Sequence, residues 1–310
     1  MNLLLRVLAG LVAAALVTTA CVADDQPDEI RSGIGGAATS INATSINANA
    51  VALAPGPDGG FYWAELSGAV RADDGSTLIR LDVSLEGQRG LLGLAVDAEG
   101  RVFAGYIGDD LRLTVAEVTD GSVRVVWLGP TTVQGGNGGR VKIAADGAIL
   151  FGIGLLNDRA GQADPTSIVG KVVRIDPDGD ADQTPEILSG PWNNPFALAI
   201  DGDGRLWVAD NHPQDGQERL SRADAGFGPT SAAVLPPDSA PTGMSAVGNE
   251  LWVCTYNTRQ LLRYRPLGNQ QVLQGSAVDD CLLDVATLSD GSVIYSTGET
   301  IERLDPTTIE

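Results

Sequence analysis

Few residues of this 310-residue chain can do acid–base or metal chemistry. It has one histidine, His212, and its only lysines are Lys142 and Lys171. One histidine excludes a zinc site built from several imidazoles, and no Cys-x-x-Cys pair is present. A Ser-His-Asp triad would have to use His212, and no Gly-x-Ser-x-Gly phrase accompanies it. Two roles remain for His212: a general base near neutral pH, or a loop residue of which only the backbone matters. Carboxylates and amides are plentiful, so any metal would be held by oxygen, as calcium is. Of the tryptophans, Trp63 and Trp127 are left open, and Trp207 and Trp252 sit in strand-like runs and read as core. Trp192 sits in a loop and is the better candidate to stack on a ligand. Arg140, Arg159 and Arg259 are charged residues in or beside loops, with surface ion pairs as the alternative role.

The charge balance narrows the partners. Forty acidic residues face twenty basic ones, a net charge of −20. A basic footprint for phosphates is absent, which argues against nucleic acid. The acidity serves solubility, or attracts a cation or cationic partner.

These residues need a scaffold, and the sequence supplies it by repetition. One phrase recurs: PDGGFYWAEL, AEGRVFAGYI, ADGAILFGIG, GDGRLWVADN, VGNELWVCTY and SDGSVIYSTG. Each has a tight turn followed by a short apolar strand. The turn positions are Gly59, Gly100, Gly147, Gly204, Asn249 and Gly291, 41 to 57 residues apart. Gly and Asn tolerate the positive φ that a hairpin turn needs. The flanking runs are rich in β-branched and aromatic residues, and no long segment after the leader has helical periodicity. An all-strand repeat of this length predicts an all-β, six-bladed β-propeller. Its functional site is then expected at one mouth of the central channel. The longest spacing holds LLNDRAGQADPTSIVGK, a loop able to wall that site.

The segment before the repeats differs. Residues 1–20 read as a signal peptide, with Arg6 ahead of an apolar stretch too short to span a bilayer comfortably. Small residues then lead into Cys21, which resembles a bacterial lipoprotein cleavage site. Residues 21–50 read as a flexible acidic and Gly-Ala-Ser-Asn spacer, whose end could still add one strand to the body at residues 51–310. The expected localisation is exported: periplasmic or cell-surface, or secreted, with membrane contact only through an N-terminal lipid. Such a compartment permits a disulfide, and Cys254 and Cys281 are then left as a pair. Two buried thiols are the alternative.

QRGLLGLAVDAEGRVFAGY, NGGRVKIAADGAILFGIG, SIVGKVVRIDPDG, NNPFALAIDGDGRLWVADNHP and LLDVATLSDGSVIYS follow in order. Together they resemble the glucose/sorbosone dehydrogenase family, six-bladed sugar dehydrogenases dependent on pyrroloquinoline quinone (PQQ). The resemblance implies a three-carboxylate quinone held by cations, a polarising calcium and a histidine base. Gly136 stands where the family has that histidine. Asn193 replaces an arginine, while Asn194 is kept. Asn257 stands for a lysine. In Cys281-Leu282-Leu283-Asp284-Val285, both family arginines are gone and Asp284 remains. Gln88 is retained. His212-Pro213 matches a turn whose carbonyls bind calcium in the family. The candidate ligand residues are therefore Gln88, Asn137, Arg140, Trp192, Asn193, Asn194, Asp210, Asn257 and Asp284. The expectation is a degenerate, pseudoenzyme-like propeller that has lost PQQ chemistry and binds a sugar-like small molecule or an envelope protein. The alternatives are a working PQQ- and calcium-dependent aldose dehydrogenase, or a calcium-dependent lactonase using Asn194 and Asp210, whose family NNPFALAI and LWVADN also resemble.

Overall fold

The computed structural model describes residues 45–211, 217–223, 226–229 and 231–308. The expected leader, Cys21, most of the spacer, His212 and Pro213 lie outside the described residues. The described chain forms six four-stranded antiparallel sheets, with one short α-helix, Arg159–Ala163, and two single 3-10 turns. This is the six-bladed propeller that the repeats require. The innermost strands are Ala50–Pro55, Leu91–Val96, Gly138–Ile143, Ala197–Ile200, Pro241–Val247 and Val285–Thr287.

Each repeated phrase supplies the hairpin between the first and second strands of a blade. Gly59, Gly100, Gly147, Gly204 and Gly291 all have φ between 78° and 87°, which a Cβ would resist. The aspartates of these phrases hold the turns by accepting backbone N–H groups. Asp97 Oδ1 accepts from Glu99 and Arg101, and Asp201 Oδ1 from Asp203 and Arg205. The fifth blade departs from the expectation: the positive φ falls on Gly248, at 58°, rather than on Asn249. Its two-residue turn places glycine first, as a type II′ hairpin does.

The sixth blade is completed from the other end of the chain. Ile46–Asn47 pairs with Thr300–Leu304 as the fourth strand. The end of the expected spacer is thus part of the ring.

Apolar clusters fill the spaces between blades. Phe103, Trp127 and Phe151 meet between the second and third blades, with Trp127 and Phe151 edge to face at 5.7 Å, a favoured aromatic geometry. Trp207 and Trp252 are buried. Between the fifth and sixth blades the cluster contains Cys254 and Cys281 with Trp252, Leu261, Val285 and Val293. The two cysteines are bonded, their Cα atoms 5.2 Å apart.

The loop expected to wall the site does something else. Asp158 caps the short helix by accepting from Gly161. The buried Lys171 Nζ donates to the carbonyls of Gln162 and Val169. The loop is tied to its own blade from inside.

Replacing Cys254 and Cys281 by serine releases a 27-residue closure. The expected loss in urea denaturation is about 3 kcal/mol, with the blade strands retained by circular dichroism. A loss within error would contradict the bond's role in joining the two blades.

Candidate functional site

Four innermost strands share a local irregularity near one end. The ladder register shifts between Ala50 and Ala52, Leu91 and Gly93, Gly138 and Val141, and Pro241 and Gly243. A bulge releases a residue from the ladder and re-aims its backbone. Val51, Leu92 and Thr242 are such residues, and all three carbonyls accept from one guanidinium, that of Arg140. Arg140 itself lies within the remaining bulge. Its Nε also donates to Phe196 O and its Nη2 to Leu283 O. Its Nη1 lies 3.4 Å from Asp284 Oδ2. Arg140 therefore reaches the innermost strand, or the residue leading into it, of every other blade. It is 3% exposed, and the Phe196 ring stacks on it with the centroid 4.5 Å away. Burial pushes its pKa down and Asp284 opposes that. Arginine remains charged under such pressure. Asp284 also accepts the Leu53 N–H. Gly243 runs so close to Asp284 that a Cβ there would collide with the carboxylate.

Above this junction lies a cavity of about 570 Å³, within the range of small-molecule sites. Its base is Arg140 surrounded by Val51, Leu92, Phe196, Thr242 and Leu283. Gly136, Asn194 and Asn211 form walls, and Leu66, Gln88, Tyr256 and Asn257 form an exposed rim. No residue from 155–171 lines it, so the long loop does not wall the site.

The expected residues divide. Gln88, Asn137, Arg140, Asn194 and Asn257 line the cavity. Asn137 is occupied at both ends of its amide: Oδ1 accepts from Val133 N and Nδ2 donates to Val133 O. Gln88 Oε1 accepts from Gly136 N and Asn194 Oδ1 from Gly138 N. Gln88 Nε2, Asn194 Nδ2 and the Asn257 amide hold no hydrogen bond among the described residues. Gly136 has φ 69°, and a Cβ there would meet nothing within 4 Å. Crowding does not explain the glycine.

Four candidates do not reach the cavity. Trp192 is fully buried; its indole N–H donates to Ser189 Oγ and its ring packs with Leu150, Val172 and Val208. It is a core residue between blades, not a platform at the mouth. Asn193 is buried and donates to Asn211 O. Asp210 is fully buried and accepts from the backbone N–H groups of Asn193 and Asn194, with Arg219 Nη2 at 3.3 Å. Those oxygens shape the Asn193-Asn194 turn. Asp284 lies beneath the base, against Arg140. Among the described residues, no group of three or more His, Cys, Asp or Glu side chains is placed to hold a metal ion.

Sequence reasoning missed Tyr256 and Arg89. Tyr256 is 53% exposed at the rim, set there by its N–H donating to Ala240 O. Adjacent Asn257 had carried the family position, and a tyrosine at a strand end reads as core. Arg89 lines the cavity, yet donates to Thr132 Oγ1 and Glu86 O.

A model of the family described as Glucose / Sorbosone dehydrogenase matches residues 48–226. This chain belongs to the glucose/sorbosone dehydrogenase family. Among solved structures, it is similar to the PQQ-bound aldose sugar dehydrogenase of Streptomyces coelicolor. That match has 21% identity and TM-score 0.68, covering 85% of this chain and 98% of the other. The soluble aldose sugar dehydrogenase of Escherichia coli in its apo-form gives 19% and 0.69, covering 85% and 100%. A gluconolactonase of Xanthomonas campestris gives 18% and 0.59, covering 85% and 89%. At these identities the likeness is one of fold. No curated protein sequence matches the chain. The glucose/sorbosone dehydrogenase fold thus carries, in this member, a mouth lined by amides around an occupied arginine.

Two expectations follow from this geometry. Arg140→Met leaves several buried carbonyls without their donor and strips the buried Asp284 carboxylate of its guanidinium, leaving it the Leu53 N–H. The expected destabilisation in urea titration is about 3–5 kcal/mol; a loss under about 1 kcal/mol would contradict the role of this junction. Glu218 gives a pH signature. Its Oε1 accepts the Ala240 N–H behind the rim, while Oε2 has no partner among the described residues. Burial pushes its pKa up, with Asp238 adding to the rise. A carboxyl with a raised native pKa contributes stability that is full below the ordinary glutamate range. That stability is lost as pH rises through the raised value. Glu218→Gln keeps the carbonyl acceptor and removes the charge. It should melt higher than wild type at pH 7, with the gap closing by about pH 4.

Proposed function

We infer that this propeller binds a small sugar-like molecule at the channel mouth and does not perform quinone redox chemistry. The observation that carries this reading is the chemical character of the lining. Among the described residues, the cavity contains no carboxylate, histidine or lysine, and its titratable side chains are Arg89, Arg140 and Tyr256. Hydride removal from a sugar hydroxyl needs a base to take the proton, and Gly136 stands at the family's position for one. A quinone with three carboxylates needs cations to offset its desolvation, and both arginines are occupied by protein oxygens. The described residues that line the cavity therefore do not fit that cofactor. Amide donors at Gln88, Asn194 and Asn257, with an exposed aromatic at Tyr256, suit hydroxyls and a sugar face. Export through the N-terminal leader, with or without a lipid on Cys21, is part of the same proposal.

The test is a titration of residues 22–310 with PQQ and calcium, read by absorbance and thermal shift, beside Gly136→His. The expected result is no saturable binding at micromolar PQQ and no dye reduction with aldoses for either protein. Micromolar binding by the wild type with aldose-dependent dye reduction would overturn the reading.

A further inference from the structure

The base and the rim of the cavity differ in chemistry. At the base, Arg140 has directed every N–H at a backbone carbonyl or Asp284. The Thr242 hydroxyl donates to Leu282 O. The other side chains there are Val51, Leu92, Phe196 and Leu283, all apolar. A polar group pushed to this depth would lose water and meet no side chain able to replace it. The rim is the reverse. Gln88 and Asn257 are exposed there; the Gln88 Nε2 group and the Asn257 side-chain amide hold no hydrogen bond among the described residues, and Asn194 Nδ2 on the wall is in the same condition. Leu66 and Tyr256 flank them, 42% and 53% exposed.

We propose that the ligand is a neutral glycoside with an apolar, ring-sized aglycone, seated aglycone first. The apolar group fills the base over Arg140 and Phe196, and the sugar hydroxyls meet the amides of Gln88, Asn194 and Asn257 at the rim. This rests on the sugar-binding reading above and adds the orientation and the class. A free aldose is the poorer ligand, because seating it at the base strands its hydroxyls, and leaving it at the rim forgoes the apolar contact. Neutrality follows from the lining, where no unoccupied charge faces the cavity among the described residues.

The experiment compares phenyl β-D-glucopyranoside with D-glucose by isothermal titration calorimetry on residues 22–310. Burying a phenyl ring should tighten binding at least tenfold. Tyr256→Ala, on the exposed rim, should weaken both probes. Leu283→Asn, with its fold checked by thermal melting, should weaken the phenyl glucoside at least fivefold and leave glucose within twofold. Equal affinities for the two probes would overturn the orientation while leaving sugar binding intact. Binding of neither at millimolar concentration would overturn both readings. If Leu283→Asn does not fold, Phe196→Ser carries the same comparison.

Discussion

A single guanidinium holds the centre of this molecule. A propeller's blades pack face to face, and nothing in that packing alone sets how far the inner strands stand from the axis. Here Arg140 sets it, by hydrogen bonds to carbonyls contributed by the other five blades. The bulges in four inner strands make this possible. Without them, the carbonyls of Val51, Leu92 and Thr242 would be committed to neighbouring strands. The strain and lost pairing of each bulge are offset by charge-assisted hydrogen bonds, which are roughly twice as strong as neutral ones. Asp284 balances the cation, and its own place is fixed by Leu53 N–H and by the glycine at 243.

This arrangement also explains the character of the mouth. A cation in a concave site ordinarily attracts anions. Arg140 does not present itself that way, because its donors are directed sideways into the blades and Phe196 covers a face. What faces the cavity is the apolar flank of the junction. Two of the amides around it are likewise half-committed, holding the backbone of a neighbour with one end: Gln88 with Gly136 and Asn194 with Gly138. Position and availability are coupled: the bond that fixes each side chain also determines which atom is left over.

The fold was legible in the sequence because its signals are local. A turn glycine and an alternating strand betray themselves within ten residues, and their recurrence reveals the ring. Even so, the fifth turn was read one residue late, since Gly248 and Asn249 both tolerate positive φ. The site was half legible. Gln88, Asn194 and Asn257 stand at recognisable places in longer phrases, and they do line the cavity. Arg140 was visible as a charge, but its partners are backbone carbonyls, which no residue type announces. Trp192 stands in a loop and is buried all the same: its indole N–H finds a partner three residues back and the ring packs inward. Asp210 and Asp284 carry oxygens a ligand could use, but those oxygens are engaged inside the protein: Asp210 with the N–H groups of Asn193 and Asn194, Asp284 with the Leu53 N–H and Arg140.

The strand that completes the sixth blade sets the order in which this chain can fold. Ile46 pairs with Ile301, so the contact that shuts the ring joins residues from opposite ends of the fold. Such long-range pairing must overcome a large loop-closure entropy before it gains anything in return. Five blades can assemble in sequence as the chain emerges, but the first and the sixth meet only once synthesis has passed residue 300. Until then the apolar faces of the first and sixth blades, Leu53 and Trp63 on one side and Leu288 and Ile294 on the other, lack each other, and the outer edge of Thr300–Leu304 lacks its partner strand, an open edge of the kind that invites association between chains. Completion is therefore late, and the central junction, which draws on the first blade and the sixth alike, can only be finished together with it.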